Sequence, residues 1–319
     1  MLLSRVSWRR LLRCWPVHVA VCWGLVLLTF VPGVGYEPPG TGSQSWIALP
    51  LGMSFQPTEL AKLSFVLSFA AHLEHVGHEV NRPKALLPLL AHLLAPPVLV
   101  HFQGDDGTAF IFLAIGVIML VAAGLNRWTV AGCTAAALAA APFAWRHLLS
   151  VYQRQRILGL FDPAPYADTI MYQQLCGRAA IRSGGLFGRG LFQPQHTAVP
   201  RPENDFIFSY FAESWGFVGC LLLLGLLFGL MLRFLRVASA APGAGFFICI
   251  GGFAMLLVQT VVNVGMNLML APVVGITLPF VSAGGTSVAV LYLAVGLVVG
   301  VARQAQKAGQ PGIQTSNEP

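Results

Sequence analysis

The sequence predicts an all-α polytopic membrane protein with about eight transmembrane helices and one large extracytoplasmic loop. Of its 319 residues, 56% are hydrophobic and only 10% are charged, whereas roughly 25% are charged in a soluble domain. The apolar residues come in blocks of about 17 to 25, the length that crosses a bilayer core. The six cysteines show neither the spacing of a zinc site nor a disulfide framework. These features exclude a soluble enzyme, a secreted disulfide-rich domain and a disordered chain.

Eight apolar blocks are predicted to form the spans. The first follows four arginines, as a signal peptide would, but residues 30–35 make a poor small-residue cleavage site, so we interpret the block as a span. The chain then divides into an N-terminal bundle of five spans (1–150), a large extracytoplasmic loop (151–206) and a C-terminal bundle of three spans with a cytoplasmic tail (207–319). The predicted spans are residues 17–35, 57–76, 85–102, 108–124, 128–148, 207–232, 246–270 and 286–302.

The short loops indicate the orientation, because Lys and Arg are enriched in cytoplasmic loops. One side of the predicted bundle carries eleven Lys and Arg residues, whereas the short loops at 36–56, 103–107 and 271–285 on the other side carry none. Both termini are therefore predicted to be cytoplasmic. Nine of the twelve carboxylates lie at or near the outer face, together with the arginines of the long loop. This layout is the one expected of an outward-facing site for an anionic substrate.

Several ionisable residues lie within or at the ends of the predicted spans, where charges are costly and often functional. Glu59 and Lys62 are three residues apart at the outer start of the second span, so they share one helix face. They form either a self-contained ion pair or part of a site. Asp105 and Asp106 precede the fourth span, and an N-cap explains one of them but not both. Glu213 lies about two turns into the sixth span and needs a partner, for which the loop arginines and Lys62 are candidates.

Asp205 lies where the long loop meets the sixth span, and two interpretations of it are open. Its position suits an N-cap, which would give it a purely structural role. Alternatively, it is a carboxylate held at the boundary between water and membrane to act as a general base. The sequence around the residue does not separate these two.

Two further segments of the outer side carry weaker signals. The glycine-rich stretch 183–190 could let backbone N–H groups approach a phosphate, and Arg189 within it supplies charge. It matches no nucleotide-binding fingerprint. The stretch 281–287 follows Pro272 and Pro279 and predicts an ordered or re-entrant outer loop, because irregular backbone is tolerated at membrane depth only where protein or water lines it.

Taken together in order, these motifs resemble the SEDS family, the shape, elongation, division and sporulation proteins FtsW, RodA and SpoVE. The resemblance covers about residues 17–303, and its specificity comes from the whole series rather than from one motif. The stretches are FQPTELAK (55–62), QGDDGT (103–108), YQRQRI (152–157), SGGLFGRG (183–190), NDFIF (204–208), NVGM (263–266) and LPFVSAGGTS (278–287).

The resemblance implies a peptidoglycan glycosyltransferase that polymerises lipid II at the outer face of the bacterial cytoplasmic membrane, in cell division or cell-shape maintenance. It also implies that Asp205 is catalytic and deprotonates the 4-hydroxyl of the acceptor sugar for attack on the anomeric carbon of the donor. The implied partner is a class B penicillin-binding transpeptidase, and no nucleic acid is expected. Contacts to substrate or diphosphate are predicted from Glu59, Lys62, Asp105, Arg154, Arg156, Arg189, Glu213, Ser282, Gly284 and Gly285.

No cofactor is required by this interpretation. A divalent cation, Mg²⁺ or Mn²⁺, could assist the departing diphosphate, although the sequence contains no dedicated metal cage. Members of the family usually have ten spans, and the motifs begin at what would be the third, so the first two are expected to be missing from this chain.

Two alternatives come from other functional classes. A lipid II flippase would place ionisable groups and broken helices near the membrane midplane, usually in internal repeats. Here the charges cluster at the outer end and no repeat is found, which favours the enzyme. A non-catalytic scaffold for a penicillin-binding protein would tolerate the loss of Asp205, but this chain keeps Asp205 together with Glu59, Lys62 and Asp105.

Overall fold

The computed structural model describes residues 7–37, 42–50, 53–147, 149–192, 196–200 and 202–309, and it is predominantly helical. The helices among these residues pack around one continuous apolar core. In chain order they are α1 (Trp8–Arg13), α2 (Trp15–Leu28), α3 (Pro57–Val76), α4 (Pro83–Phe102), α5 (Asp106–Ala122), α6 (Arg127–His147), α7 (Val151–Phe161), α8 (Tyr172–Gly184), α9 (Ile207–Ala240), α10 (Ala244–Asn267) and α11 (Gly285–Gly309).

Each predicted span corresponds to a helix of this structure, which confirms the all-α membrane fold. Within the described residues, five helices are long and apolar enough to cross a membrane, namely α4, α6, α9, α10 and α11. Helices α2 and α5 are equally apolar but shorter. Helix α3 covers the predicted 57–76 without a shift at either end, and its Glu59, Lys62 and Glu74 reduce its apolar character.

The first span is shorter than predicted. Helix α2 ends at Leu28 rather than at residue 35, because Pro32 and Gly33 follow, and both residues interrupt helices. The chain then enters a small antiparallel sheet that the sequence did not predict, with strands β1 (Gly35–Tyr36), β2 (Trp46–Ala48) and β3 (Ser54–Phe55) in the order β1-β2-β3.

Helix α9 is longer than its predicted span and is broken at Gly216, whose φ of 67° and ψ of −170° are not helical. The segment 185–190 fills the break. Two backbone hydrogen bonds of the helix are lost at the break, and the two carbonyl and two N–H groups that would form them bond to this segment instead. Glu213 O and Ser214 O accept from the N–H groups of Arg189 and Gly190, at 2.8 and 3.0 Å. The N–H groups of Phe217 and Val218 donate to Gly185 O and Leu186 O, at 2.9 and 3.1 Å. The long loop therefore enters the helical layer.

Helix α10 lies at the centre of the bundle and packs against α3, α5 and α9. Most of its side chains are buried, including a series of small and apolar residues from Ala244 to Met255. Helix α6 is the opposite case, since none of its described residues is buried. The central helix therefore links the predicted N-terminal and C-terminal bundles, and its end at Asn267 reaches the site described next.

Candidate active site

Glu59 and Lys62 form a buried ion pair in the first turns of α3. Lys62 Nζ donates to Glu59 Oε1 at 2.7 Å, and the two side chains are only 2% and 8% exposed. Pro57 begins the helix, as its fixed φ favours, and the i,i+3 spacing brings both charges to one face. A buried charge needs a partner, and each of these two residues is the partner of the other. Neither side chain is open to direct contact with a bulky diphosphate.

Asp105 caps α5 and links it to α3. Its Oδ1 accepts a hydrogen bond from the Thr108 N–H at 2.9 Å, and its Oδ2 accepts from Gln56 Nε2 at 3.2 Å. Burial raises the pKa of the Asp105 carboxyl above its ordinary value, while the bonds from Thr108 and the charge of Lys62 oppose that rise. Asp105 therefore lies within the field of the buried pair, and the three predicted residues of this end of the bundle come together.

The neighbouring Asp106 connects α5 to α7. Its carboxylate accepts hydrogen bonds from the Gln153 amide and contacts His101 Nδ1. Gln153 belongs to a capping box with Ser150 at the start of α7, so its position is fixed from both sides. The two adjacent carboxylates thus have different tasks: Asp105 faces α3, and Asp106 ties the long loop to the bundle.

Arg156, on α7, reaches over the loop that follows α10. Its Nη1 donates to Val273 O at 2.6 Å, and its Nη2 donates to the Tyr152 hydroxyl at 2.8 Å while the guanidinium stacks on the Tyr152 ring. Three of its five N–H donors remain for another acceptor. Arg154, on the same helix, is half-buried, and its Nε–H makes no hydrogen bond to any described residue. The predicted contacts of both arginines with substrate or diphosphate stay predictions.

Asp205 lies in the turn that precedes α9, and its side chain is partly buried. The helix begins at Ile207 with Phe206 in the N-cap position and no side-chain cap. Asp205 therefore stands one position before the N-cap residue of α9. Gly275 lies opposite, with Asp205 Oδ2 3.9 Å from where its Cβ would stand. The carboxylate thus faces the loop that Arg156 also contacts.

A series of contacts joins Asp205 to the buried pair across one end of the bundle. Ser282 Oγ donates to Asn204 O at 2.7 Å, and the same loop continues into Thr286, whose hydroxyl accepts from the Gln56 N–H at 3.5 Å. Gln56 in turn binds Asp105. The candidate active site is therefore one place, built from the beginnings of α3, α5, α9 and α11 and from the loop at 271–284.

Ser282 is predicted as a substrate contact, but its hydroxyl is buried and engaged within the protein. It donates to Asn204 O and accepts from the Leu278 N–H at 2.8 Å. Gly284 and Gly285 lie beside it at the start of α11, where Gly284 N donates to Ser282 O at 2.8 Å. Ser282 supports the turn that carries Asp205, and the contacts of Ser282 and the two glycines with substrate stay predictions.

Glu213 lies beside the break in α9 with a fully buried side chain. Its Oε1 accepts hydrogen bonds from the N–H and hydroxyl of Thr197, at 2.9 and 2.7 Å, and from the Ser183 hydroxyl at 3.1 Å. Arg189, the expected kind of partner, lies 3.5 Å away, and His196 is 3.4 Å from Oε2. Glu213 thus anchors the long loop, with Arg189 beside it, and the predicted contacts of both residues with substrate or diphosphate stay predictions.

Four residues of this end were not predicted as site residues, although three of them lie in quoted motifs. Gln56 and Thr286 connect α3 to α11, while Asn263 and Asn267 are fully buried and bind the backbone of Asp205. The available signal was the pair of amides four residues apart in an apolar helix, because buried amides require partners. Among the described residues there is no group of three or more His, Cys, Asp and Glu side chains that could hold a metal ion.

Comparison with known proteins agrees with this architecture. The sequence matches the FtsW, RodA and SpoVE family of cell cycle proteins over residues 1–307. It is 31% identical to stage V sporulation protein E of Bacillus subtilis, covering 93% of this chain and 79% of that protein. It is 34% identical to peptidoglycan glycosyltransferase MrdB of Escherichia coli, covering 90% and 77% respectively.

Solved structures show the same likeness. A structure on the coordination of polymerization and crosslinking by a peptidoglycan synthase complex superposes with a TM-score of 0.79 at 33% identity, covering 95% of this chain and 85% of that one. The Thermus thermophilus rod shape determining protein RodA superposes with a TM-score of 0.67 at 31% identity, covering 97% and 83%. The chain is thus a membrane protein that belongs to the FtsW, RodA and SpoVE family of cell cycle proteins, as its sequence motifs predicted.

Proposed function

We propose that this protein is a peptidoglycan glycosyltransferase that polymerises lipid II, with Asp205 as the general base. The observation that carries the proposal is the placement of the Asp205 carboxylate opposite Gly275. Gly275 belongs to the loop whose Val273 O accepts a hydrogen bond from Arg156. A carboxylate and a guanidinium group at one loop match the two needs of glycosyl transfer. These needs are removal of a proton from the acceptor and stabilisation of an anionic leaving group.

In the proposed reaction the Asp205 carboxylate accepts the proton of the acceptor sugar's 4-hydroxyl as that oxygen attacks the anomeric carbon of the donor. The bond from the anomeric carbon to the diphosphate breaks, and the undecaprenyl diphosphate leaves with the electron pair. Arg156 has three N–H donors with no partner among the described residues, so it can bind the diphosphate oxygens, and Arg154 on the same helix adds a second positive charge. Arginine suits this task because its planar fork binds phosphate in a bidentate way.

The buried Glu59–Lys62 pair supports this site from inside the bundle. Lys62 is 2% exposed, so it acts through its charge on Asp105 rather than by touching the substrate. Asp105 then holds Gln56 and the start of α5 in place. A divalent cation at the diphosphate is part of the proposal only as an addition to Arg154 and Arg156.

The protein is proposed to lie in the bacterial cytoplasmic membrane with both termini inside and this site outside. The distribution of Lys and Arg in the short loops supports that orientation. A class B penicillin-binding transpeptidase is the proposed partner, because new glycan strands must be cross-linked where they emerge. The likeness to a structure of a peptidoglycan synthase complex supports such an assembly.

The test is polymerisation of labelled lipid II by purified protein, alone and with a cognate transpeptidase, beside a folded Asp205→Ala variant. Glycan ladders from the wild type and none from the variant are expected. Equal ladders from both proteins would remove Asp205 from catalysis. The absence of a ladder under every condition, with a folded protein, would favour the scaffold.

A further inference from the structure

The backbone on which Asp205 sits is held at three successive carbonyl groups. Glu203 O accepts from the Ala283 N–H at 2.8 Å, and Asn204 O accepts from the Ser282 hydroxyl at 2.7 Å. Asp205 O accepts from two side-chain amides, Asn263 Nδ2 at 2.9 Å and Asn267 Nδ2 at 3.0 Å. A turn between a long loop and a helix rarely has each of these acceptors bonded to protein, since loops normally leave such groups to water.

Asn263 joins this turn to the loop on the other side of the site. Its two amide hydrogens serve two carbonyls, Asp205 O at 2.9 Å and Ile276 O at 2.7 Å. Ile276 follows Gly275, the residue that faces the Asp205 carboxylate. One side chain therefore sets the distance between the backbone that carries Asp205 and the backbone opposite it.

Asn267, one turn further along α10, fixes the start of α9 in the same way. Besides binding Asp205 O, its Oδ1 accepts from the Ser209 N–H at 3.1 Å and from the Ser209 hydroxyl at 2.5 Å. Both asparagines are 0% exposed. Because an unpaired amide in an apolar interior is costly, these bonds cannot be exchanged for water, and the turn has little freedom to move.

We infer that Asn263, supported by Asn267, is a positioning residue for Asp205. It touches neither the substrate nor the carboxylate and acts through the backbone on which Asp205 sits. This inference rests on the proposed function, since it assigns a catalytic consequence to the placement of Asp205. A base must be held within a fraction of an ångström of its productive position, and misplacement by about 1 Å can cost on the order of 100-fold in rate.

The test compares Asn263→Leu with Gln259→Leu in the lipid II polymerisation assay. Gln259 is an equally buried amide on α10, one turn farther from the end that meets Asp205. For Asn263→Leu we expect kcat to fall on the order of 10- to 100-fold, with KM within about twofold of the wild type. Gln259→Leu should keep its kcat. Hydrogen exchange of the peptide that contains residues 202–206 should become faster in Asn263→Leu but not in the control.

Three outcomes would overturn the inference. They are a wild-type kcat for Asn263→Leu, an equal loss of kcat in both variants, and unchanged exchange of the 202–206 peptide despite a lower kcat. If Asn263→Leu does not fold, Asn263→Ser replaces it, because serine keeps one donor but cannot bridge both carbonyls. Asp205→Ala is measured in parallel: if it retains activity, the proposed function is at fault, whereas an inactive Asp205→Ala beside a fully active Asn263→Leu rejects the positioning role alone.

Discussion

Gly107, in the first turn of α5, lies directly against Val274: a Cβ atom at position 107 would stand 2.2 Å from the Val274 carbonyl oxygen. That approach seats the loop of residues 273–276 on the start of α5. The same loop is bound by Arg156 and Asn263 and faces Asp205. The close contact therefore determines how near the loop comes to the proposed base.

Gly107→Ala is expected to lower lipid II polymerisation by on the order of tenfold or more, because the loop must move away from α5. Gly132→Ala, on α6, is the matched control, since no atom lies within 4 Å of the added Cβ there. Rates of glycan formation and detergent-solution melting temperatures of both variants check the prediction. Equal activity of the two variants would contradict it.

The buried Glu59–Lys62 pair gives a prediction about stability. Lys62→Met and Glu59→Gln each remove one partner and leave the other buried without its counter-charge. For Lys62→Met the free energy of unfolding is expected to fall by about 3–5 kcal/mol. The double variant should be less destabilised than the sum of the single ones, because no isolated charge remains. Thermal unfolding of the four proteins measures the coupling. Additive losses would show that the two charges do not depend on each other.

Asp105 gives a prediction about pH. Its pKa is raised by burial from the ordinary 3.8, so the folded protein binds the proton more tightly than the unfolded chain does. The stability that this contributes is present below pH 3.8 and is lost as pH rises through the higher, folded-state value. Asp105→Asn, which keeps the acceptor for Thr108, should therefore be more stable than the wild type at neutral pH and less active. Melting temperatures between pH 4 and 8 check this, and a wild-type pH dependence in the variant would refute it.

The sequence predicts local elements well where a residue sets a boundary by its own chemistry. Pro57 marks the start of α3, and a mostly apolar block follows to Val76, so the prediction and the structure agree there. The three strands are two or three residues long, too short for any periodic pattern, and the prediction missed them. Family membership and the helical fold were also predicted, because both depend on composition and on motifs in order.

Contacts between distant parts of the chain are harder to predict. Asn204 and Ser282 are 78 positions apart, and hydropathy says nothing about which loops meet. Glu213 shows the same limit: a loop arginine was predicted and is present, but Thr197 and Ser183 supply the shorter bonds. Neutral donors in a loop have no signature in the sequence. Predicting a partner by charge alone therefore finds Arg189 and misses the groups that enclose the carboxylate.

The break at Gly216 bears on how the protein is assembled during synthesis. The carbonyl groups of Glu213 and Ser214 and the N–H groups of Phe217 and Val218 find their partners only in residues 185–190. A nascent α9 released into lipid before that segment arrives would close these four groups on each other and straighten. Docking of the long loop and bending of α9 are therefore coupled: the helix acquires its break only when residues 185–190 are in place to bind these four groups.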